Sequence, residues 1–520
     1  MTRSIPLLRT PQELLNWRRA HAVEGLHLVP TMGGLHQGHG ALISSAVAAA
    51  QGVRPVLVSV FVNPLQFGPQ EDFAAYPRQL EADLNLAAAA GAVALWAPLA
   101  SDVYPRGHNG LTQLAPAPEL VQHLCGPRRP GHFAGVCTVV ARLLALTQPS
   151  HLHLGEKDWQ QLQVLRQLVD DLQLPLQVMP FPTQREADGL PCSSRNTYLS
   201  AEQRQQAAAL PAALALASRL LAGGEQRWSE LEPPVRALLE DHQLQVDYLQ
   251  LVDLQRLQPL DSVQGPALLA AAVRCGAARL IDHRVLMTRQ PILAIDGPAG
   301  AGKSTVTRRV AAQLGLTFLD TGAMYRGVTW LLQQKGLSPD AGEAIEQLLA
   351  ELELRFLPSA EGEQRVLVNG EDVTAAIRTA EVTAGVSAVA ALPAVRQALT
   401  AQQQQLGQTG GLVAEGRDIG TAVFPDAELK IYLTATVAER ARRRAADLQQ
   451  RGLPVPALAQ LEQEIAERDH MDSTREVAPL RQADDAVELL SDGLSIDAVV
   501  ERILGLFQER VPLEALNGVG

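Results

Sequence analysis

Two short segments of this 520-residue chain carry residue types that handle phosphate. The first holds His36 and His39, three residues apart, with Gly38 between them. Because glycine lets the backbone approach a ligand closely, both imidazoles can meet one phosphate and donate to the charge that builds on it during a displacement. The alternative is a turn that holds two helix-capping histidines.

The second segment is a complete G-x-x-x-x-G-K-S phosphate-binding loop, preceded by the apolar run 292–295. In such a loop the amides cradle the β-phosphate, Lys303 bridges the β- and γ-phosphates, and Ser304 ligates magnesium. A second phosphate signature predicts two fused enzymes. The loop residues are Gly297, Pro298, Ala299, Gly300, Ala301, Gly302, Lys303 and Ser304.

Both segments need a strand before them and a helix after them. In the first half, apolar runs at 26–29, 55–62 and 93–96 alternate with helical patterns, which predicts a parallel α/β sheet. A long Ala/Leu/Gln helix at 201–221, followed by strand-like runs, predicts a smaller second domain.

In the second half the strand 291–296 begins a new α/β domain. The run 365–368 ends at Asn369-Gly370, a hairpin signal that predicts a small inserted substrate subdomain. The apolar stretch 84–100 is interpreted as a helix end and a buried strand, because Gly91 splits it.

Composition limits the function classes. A net charge of −12 argues against a nucleic-acid-coating surface, so small-molecule ligands are expected and neither nucleic acid nor membrane is expected as a partner. Residues 1–6 lack the features of a secretory signal, and cytoplasm is the expected location. The four cysteines show no C-x-x-C spacing, and a disulfide framework is not expected.

Further segments in the first half occur in a family order: 61–67, 129–133, 155–158 with Gln160 and Gln161, and 193–196. With the histidine motif they closely resemble pantothenate synthetase, also called pantoate-beta-alanine ligase, over residues 1 to about 287. The resemblance implies a Rossmann-like nucleotidyltransferase domain at about 1–188, a smaller α+β lid-like subdomain at about 189–287, and a homodimer formed through this half.

The resemblance also implies the chemistry. The pantoate carboxylate attacks the α-phosphate of ATP to give pantoyl adenylate and pyrophosphate, and the amine of beta-alanine then displaces AMP. In that scheme His39 is the proton donor with His36 beside it, and Lys157 and Arg195 supply fixed positive charge. Asp158 holds either the ribose or a metal-bound water, and the sequence leaves this open.

The ligase residues fall into two sets. Gln66 and Gln161 suit the hydroxy acid, because a carboxamide both donates and accepts hydrogen bonds. The predicted ATP-binding residues are Met32, Gly33, Gly34, Leu35, His36, Gln37, Gly38, His39, Gly155, Glu156, Lys157, Asp158, Gln184, Cys192, Ser193, Ser194 and Arg195.

Three segments of the second half, 319–326, 415–421 and 468–475, closely resemble cytidylate kinase, and the predicted domain is 288–520. The resemblance implies ATP-dependent phosphorylation of CMP or dCMP in a P-loop nucleoside monophosphate kinase with a parallel sheet. Arg468 and Arg475 lie seven apart on a segment that can close as a lid, and Arg475 is predicted to be catalytic with Lys303. The predicted CMP-binding residues are Thr321, Arg326, Ser387, Arg396, Arg417, Asp418, Arg468 and Arg475.

Some positions depart from the families. Gln184 stands where an apolar residue is common, Cys192 where leucine is frequent, and Glu415 where aspartate is often seen. Cys192 is interpreted as a small buried residue rather than a reactive one. The run 442–444 favours a solvated helix face over a site, and Arg440 is left open.

The sequence therefore predicts a bifunctional enzyme with two independent sites, both using ATP with Mg²⁺. The alternatives are a cytidylyltransferase-like first half, or one half that is a non-catalytic nucleotide-binding scaffold.

Overall fold

The computed structural model describes residues 5–69, 71, 73–107, 110–357, 364–450, 452–475 and 477–517. The chain divides into two units, Met1–Thr288 with Val511–Gly520, and Arg289–Arg510. It therefore leaves the first unit after Thr288 and returns to it at Val511. The domain expected at 288–520 includes this returning segment, and the expected boundaries stay a prediction.

The first unit is built on a parallel six-stranded sheet in the order β1-β4-β3-β2-β5-β6. From β2 to β4 each new strand is added to one side of β2, whereas β5 and β6 are added to its other side. The direction in which strands are added to the sheet therefore reverses between β2 and β5. The strands are β1 Leu7–Leu8, β2 His27–Thr31, β3 Val56–Val60, β4 Ala94–Trp96, β5 His151–Gly155 and β6 Gln177–Phe181.

Helices cover both faces of this sheet, because consecutive strand residues point to opposite faces and both are apolar. Leu28 and Trp96 pack into one buried cluster, whereas Val29 and Leu95 pack into the other. The helices are α1 Pro11–His21, α2 Gln37–Ala49, α3 Leu80–Ala89, α4 Ala100–Val103, α5 His132–Thr147 and α6 Trp159–Asp171.

The smaller part of the first unit packs three helices on an antiparallel sheet in the order β7-β8-β9. The helix predicted at 201–221 is broken at Ala208. Pro211 lies in the first turn after the break, where its missing N–H is tolerated. The elements are α7 Ala201–Ala207, α8 Ala209–Ala222, α9 Trp228–Asp241, β7 Gln245–Asp253, β8 Ala267–Cys275 and β9 Ala278–Leu286.

The second unit has a parallel five-stranded sheet in the order β11-β15-β10-β16-β17 and a three-stranded antiparallel sheet in the order β12-β13-β14. Its strands are β10 Ile292–Asp296, β11 Thr317–Asp320, β12 Leu354–Leu357, β13 Arg365–Val368, β14 Glu371–Asp372, β15 Leu412–Gly416, β16 Leu429–Thr434 and β17 Val487–Leu490. Its helices are α10 Lys303–Leu314, α11 Thr321–Gln334, α12 Gly342–Ala350, α13 Ala380–Ala390, α14 Pro393–Leu406, α15 Val437–Gln450, α16 Leu458–Thr474 and α17 Ile496–Arg510.

The predicted hairpin is confirmed. Val368 pairs with Glu371, so Asn369 and Gly370 form a two-residue turn, with φ of 49° and 83°. Positive φ at both positions is what a type I′ turn requires. Val366 and Val368 pack into the main core of the second unit.

Among the described residues no single helix is long and apolar enough to cross a membrane. Ala380–Ala390 and Pro393–Leu406 meet that criterion only as a pair, and they are bent by 97° at the break between them.

Candidate active sites

The two histidines of the first motif begin α2 at the carboxyl end of β2. The His36 Nδ1 accepts from the N–H of Gly38 at 3.2 Å, and the His39 Nδ1 accepts from the N–H of His36 at 3.3 Å. Their ring centroids are 4.1 Å apart. Because both Nδ1 atoms accept hydrogen bonds, the proton of each neutral ring is on Nε2, where it can be donated to a ligand.

Both imidazoles are neutral at neutral pH. Burial, with help from the charge of Lys157, lowers the pKa of His36 to about 4. Burial, followed by the influence of His36 and Lys157, lowers the pKa of His39 to about 3. The pair therefore provides hydrogen-bond donors, and the fixed positive charge beside it is that of Lys157.

Lys157 reaches the same place from another strand. It lies in a 3-10 helix, Glu156–Asp158, that directly follows β5, and β5 pairs with β2. The site therefore lies at the carboxyl edge of the sheet where the strand order reverses, a location that parallel α/β sheets commonly use for ligands.

A buried carboxylate shapes the loop before the histidines. Asp83 on α3 is 1% exposed, and its two oxygens accept from the N–H groups of Gly34 at 3.1 Å and Leu35 at 2.7 Å. Burial raises the pKa of Asp83, although these two bonds oppose the rise. The amides of Gly34 and Leu35 are thus engaged within the protein. The sequence predicts no role for Asp83, since its only signal is an acidic residue in a helical pattern.

Gln66 is held at the end of the 3-10 helix Pro64–Gln66. Its Oε1 accepts from Asn63 at 3.0 Å, its Nε2 contacts the Met32 sulfur at 3.0 Å, and its main-chain oxygen accepts from His132 Nδ1 at 2.7 Å. Arg129 donates to the other nitrogen of His132 at 2.9 Å, which fixes the proton of that ring on Nδ1. The segment 129–133 therefore orients Gln66.

Most of the predicted ligase residues line one cavity of about 320 Å³. The predicted residues that line it are Met32, His36, Gly38, His39, Gln66, Gly155, Lys157, Asp158, Gln161, Gln184, Cys192, Ser193, Ser194 and Arg195. Those outside its lining are Gly33, Gly34, Leu35, Gln37 and Glu156. Glu156 is completely buried. The ATP-binding roles of these residues, and the pantoate-binding roles of Gln66 and Gln161, stay predictions.

Cys192 is 8% exposed, and burial, with the nearby Glu186, raises the pKa of its thiol. Its N–H donates to the main chain of Gln184 at 2.8 Å. Cys192 is thus a buried thiol in the lining, and the main chains of Gln184 and Cys192 are bonded to each other.

In the second unit the P-loop joins β10 to α10. Gly297 has φ of 148°, and a Cβ atom there would lie 2.0 Å from the carbonyl oxygen of Leu433, so only glycine fits. Lys303 is 7% exposed, and its Nζ donates to the carbonyl oxygens of Gly297 at 2.7 Å and Pro298 at 2.9 Å. Burial and the nearby Arg417 lower the pKa of Lys303.

Two acidic residues approach the P-loop from neighbouring strands. Glu415 on β15 is 5% exposed, accepts a hydrogen bond from the Ser304 side chain, and has an Oε2 atom with no hydrogen-bond partner. Burial and the charge of Asp320 raise the pKa of Glu415. Asp296, whose pKa burial raises to about 6, accepts from the N–H groups of Ile419 and Gly420.

Arginines gather beside this loop. Arg396, 3% exposed, is paired with Asp418, and Arg475 lies 3.7 Å from the other oxygen of the same carboxylate. Arg417 pairs with Asp472 at 3.0 Å. Burial and then Arg417 lower the pKa of Arg468, whereas burial and then Arg396 lower that of Arg475. These mutually repelling cations form a site suited to several phosphate oxygens.

The remaining predicted residues of this site differ in surroundings. Thr321 is buried and donates to the carbonyl oxygen of Glu415 at 2.6 Å, and Arg326 pairs with Asp320 at 3.0 Å. Ser387 is exposed on α13, a helix that packs against α11. The CMP-binding assignments stay predictions.

The interpretation of 442–444 as a solvated face is wrong for Arg443, which donates to the Ala301 carbonyl oxygen of the P-loop at 3.4 Å. Arg440 is 3% exposed and donates to the Ala299 carbonyl oxygen at 3.1 Å and to Asp469 at 2.9 Å. Arg442 and Arg444 are exposed and pair with neighbours on α15. The sequence of consecutive arginines on one helix does not show which of them face the P-loop.

The fold and these sites define a two-site nucleotide-dependent enzyme, in which a histidine pair and a P-loop lie in separate α/β units. The pantoate-beta-alanine ligase family model matches residues 6–285, and the cytidylate kinase family model matches residues 293–509.

Curated relatives carry both halves. The chain is 74% identical over 510 residues to the bifunctional pantoate ligase/cytidylate kinase of Synechococcus sp. strain RCC307, covering 98% of this chain and 99% of the relative. It is 59% identical to the protein of the same name in Prochlorococcus marinus strain MIT 9313, covering 97% and 99%. A crystal structure of the pantothenate synthetase from Thermus thermophilus is 43% identical, with a TM-score of 0.51, and covers 54% of this chain and 99% of that one.

The chain belongs to the family of bifunctional pantoate ligase/cytidylate kinases. It is therefore both a carbon–nitrogen ligase and a phosphotransferase, and the predicted fold class is confirmed.

Proposed function

We propose that the cavity of the first unit makes pantothenate, with the histidine pair and Lys157 acting on the α-phosphate of ATP. The observation that carries this is that His36, His39 and Lys157 meet at the reversal point of the sheet. Two Nε2–H donors and one ammonium there can stabilise charge that develops on the phosphorus oxygens. His39 is the predicted proton donor, and its pKa of about 3 supports a hydrogen-bonding role for the neutral ring.

Two displacements follow at this site. A carboxylate oxygen of pantoate forms a bond to the α-phosphorus while the bond to pyrophosphate breaks. The nitrogen of beta-alanine then forms a bond to the acyl carbon, the carbon–oxygen bond to AMP breaks, and the amine loses a proton. Gln66 and Gln161 line the cavity and are suited to bind pantoate.

The test of the ligase site uses the full chain with ATP, pantoate and beta-alanine. AMP, pyrophosphate and pantothenate are the expected products, and labelled pyrophosphate should exchange into ATP when pantoate is present without beta-alanine. The absence of AMP would contradict the proposal, and so would a product that keeps the nucleotide.

For the second unit, the P-loop presents the γ-phosphate of ATP and the arginine cluster receives the phosphate of CMP. The cluster of Arg396, Arg417, Arg468 and Arg475 beside Lys303 supports this, since phosphoryl transfer between nucleotides gathers many anionic oxygens. The bond that forms joins a CMP phosphate oxygen to the γ-phosphorus, and ADP leaves. A full-chain assay with ATP and either CMP or dCMP measures which acceptor is preferred, and the absence of ADP with both would contradict the proposal.

Magnesium is expected with ATP at both sites. The second site fits a hard divalent cation, because the buried Glu415 has an unpartnered oxygen and is bonded to Ser304. Magnesium held there would neutralise phosphate charge, while Lys303 and the arginines would position the two nucleotides. In the described part of the chain, no group of three or more His, Cys, Asp or Glu side chains is arranged to hold a metal. At the first site the phosphates of ATP are expected to hold magnesium, with Asp158 facing the cavity.

Two further expectations remain predictions. A homodimer formed through the ligase half is testable by light scattering on the full chain. The cytoplasmic location is testable by fractionation of the source cells.

A further inference from the structure

The segment that follows the last helix of the kinase unit is packed into the ligase unit. Beyond α17 the chain returns at Val511, which is completely buried, and Ala515 is 8% exposed. A 3-10 helix, Leu513–Asn517, contacts strand β9. The segment is therefore packed within the ligase unit.

The segment bonds to two positions that flank the ligase cavity. The N–H of Leu513 donates to Oε1 of Glu156 at 3.2 Å, and the N–H of Glu514 bonds to the same carboxylate. The Glu514 carboxylate in turn accepts from the N–H of Thr183 at 3.1 Å. Glu156 thereby caps the 3-10 helix of the returning segment.

Both contacts adjoin predicted ATP-binding residues. Glu156 precedes Lys157, and Thr183, itself in the cavity lining, precedes Gln184. Glu156 is completely buried, so its carboxylate needs hydrogen-bond donors from within the protein. The main-chain N–H groups of Leu513 and Glu514 are such donors, Leu513 bonding to Oε1, while Oε2 has no hydrogen-bond partner. These bonds hold the turn that carries Lys157.

The segment lies outside the part of the chain that resembles free-standing ligases. The ligase family model ends at residue 285, and 54% of this chain covers 99% of the Thermus synthetase. The returning segment follows 222 residues of the other unit, Arg289–Arg510. It is therefore supplied to the ligase from beyond the kinase.

We propose that residues 511–517 are a positioning element of the ligase site, in which Leu513 and Glu514 hold the Glu156 turn and Thr183 so that ATP can bind. This rests on the proposed location of the ATP site. It gives the fusion a physical consequence, because the ligase site then depends on residues that follow the kinase unit.

The decisive variant is Leu513→Pro in the full chain. Proline lacks the N–H that Glu156 accepts, and it is tolerated at the first position of a helical turn. Leu513→Ala keeps the N–H and is the matched control. Losing a hydrogen bond to a charged or buried group weakens an interaction about 10- to 100-fold. The ligase KM for ATP should therefore rise about 10-fold or more in Leu513→Pro.

Three readouts separate positioning from general destabilisation. The KM for pantoate should stay within about two-fold of its wild-type value, the kinase reaction of the same molecule should be unchanged, and Leu513→Ala should bind ATP like the wild type. A chain ending at Arg510 should show the same rise in the KM for ATP, and if it fails to fold, Leu513→Pro decides the matter.

An unchanged KM for ATP in Leu513→Pro overturns the proposal, and so does a loss confined to kcat. An equal rise in Leu513→Ala also overturns it, because that variant keeps the N–H. A different failure, in which the wild-type chain forms no AMP and pantothenate, would reject the proposed ligase site itself.

Discussion

Both oxygens of the Asp83 carboxylate accept hydrogen bonds from the loop that precedes the histidine pair, with Oδ1 lying 2.7 Å from the N–H of Leu35. Asp83 is on α3, almost fifty residues further along the chain. One buried side chain on α3 thus holds the loop before the histidine pair, at the edge of the sheet, by two hydrogen bonds. Because this loop leads directly into α2, these bonds also help to position His36 and His39 at the start of that helix.

Replacing Asp83 with asparagine should impair the ligase. An amide has one acceptor oxygen, so its NH₂ group would face the N–H of Gly34 or Leu35, and an unsatisfied buried group costs about 1–3 kcal/mol. Ligase kcat/KM should fall about 10-fold or more while CMP phosphorylation is unchanged. Asp102→Asn is the control, because Asp102 caps the exposed N–H of Leu99 in the same manner. Equal effects of the two substitutions would contradict this role of Asp83.

The second prediction concerns the histidine pair. His39→Ala should lower the pantoate-dependent exchange of pyrophosphate into ATP by a factor on the order of 10² to 10⁴, because a positioned proton or hydrogen-bond donor is lost. Lys303→Ala should instead remove only the kinase reaction. If either substitution silenced both reactions, the sites would not be independent.

The pH profile of that exchange reaction tests the protonation state. With pKa values of about 4 for His36 and about 3 for His39, both rings stay neutral from pH 6 to pH 8. The exchange rate should therefore show no midpoint near the usual histidine pKa of about 6.5 that depends on His36 or His39. A midpoint there that disappears in His39→Ala would contradict the neutral pair.

A fourth prediction follows from the buried Glu156. Burial, followed by the charge of Glu514, raises its pKa to about 7 from the ordinary 4.5, and Arg166 opposes the rise. In the unfolded chain Glu156 ionises near pH 4.5, whereas in the folded protein it stays protonated up to about pH 7. The folded state therefore loses stability relative to the unfolded state as the pH rises from about 4.5 through 7. Glu156→Gln removes this loss, and its stability relative to the wild type should grow by up to about 3 kcal/mol between about pH 4.5 and pH 8.

Tryptophan fluorescence during urea unfolding measures this difference mainly in the ligase unit. Glu514→Gln is the partner variant, since it removes the like charge and should shrink the pH dependence. A difference that stays flat with pH would contradict the raised pKa. The ligase unit holds Trp17, Trp96, Trp159 and Trp228, and the kinase unit holds Trp330.

The sequence predicts most of what local pattern controls. Apolar runs between helical patterns indicate β2, β3 and β4 of the first parallel sheet and β10 of the second. Asn369-Gly370 indicates the hairpin, because its turn type depends on two adjacent residues. The P-loop and the histidine motif are likewise contiguous. Each follows a strand, so the edge of the sheet that carries them is determined by the strand direction.

What the sequence could not provide are contacts between distant positions. Asp83 is one acidic residue among several in its helix, and only the packed sheet brings it to Leu35. The return of Leu513 to Glu156 spans 357 positions and has no pattern in either segment. Such contacts depend on tertiary packing, which periodicity and composition do not encode.

The last prediction separates two arginines of α15 that the sequence does not distinguish. Arg440 is buried and bonds to the P-loop carbonyl oxygen of Ala299 and to Asp469 on α16, whereas Arg442 is exposed and pairs only with Glu439 among the contacts described. Arg440→Ala removes charged hydrogen bonds worth about 1.5–3 kcal/mol each and leaves a partly buried carboxylate and a loop carbonyl without this donor. The kinase KM for ATP should rise about 10-fold or more, with the ligase reaction as an internal control. Arg442→Ala on the same helix should stay within about two-fold of the wild type, since exposed ion pairs contribute little. Equal effects of the two substitutions in a steady-state assay would show that the contact of Arg440 with the P-loop does not support ATP binding.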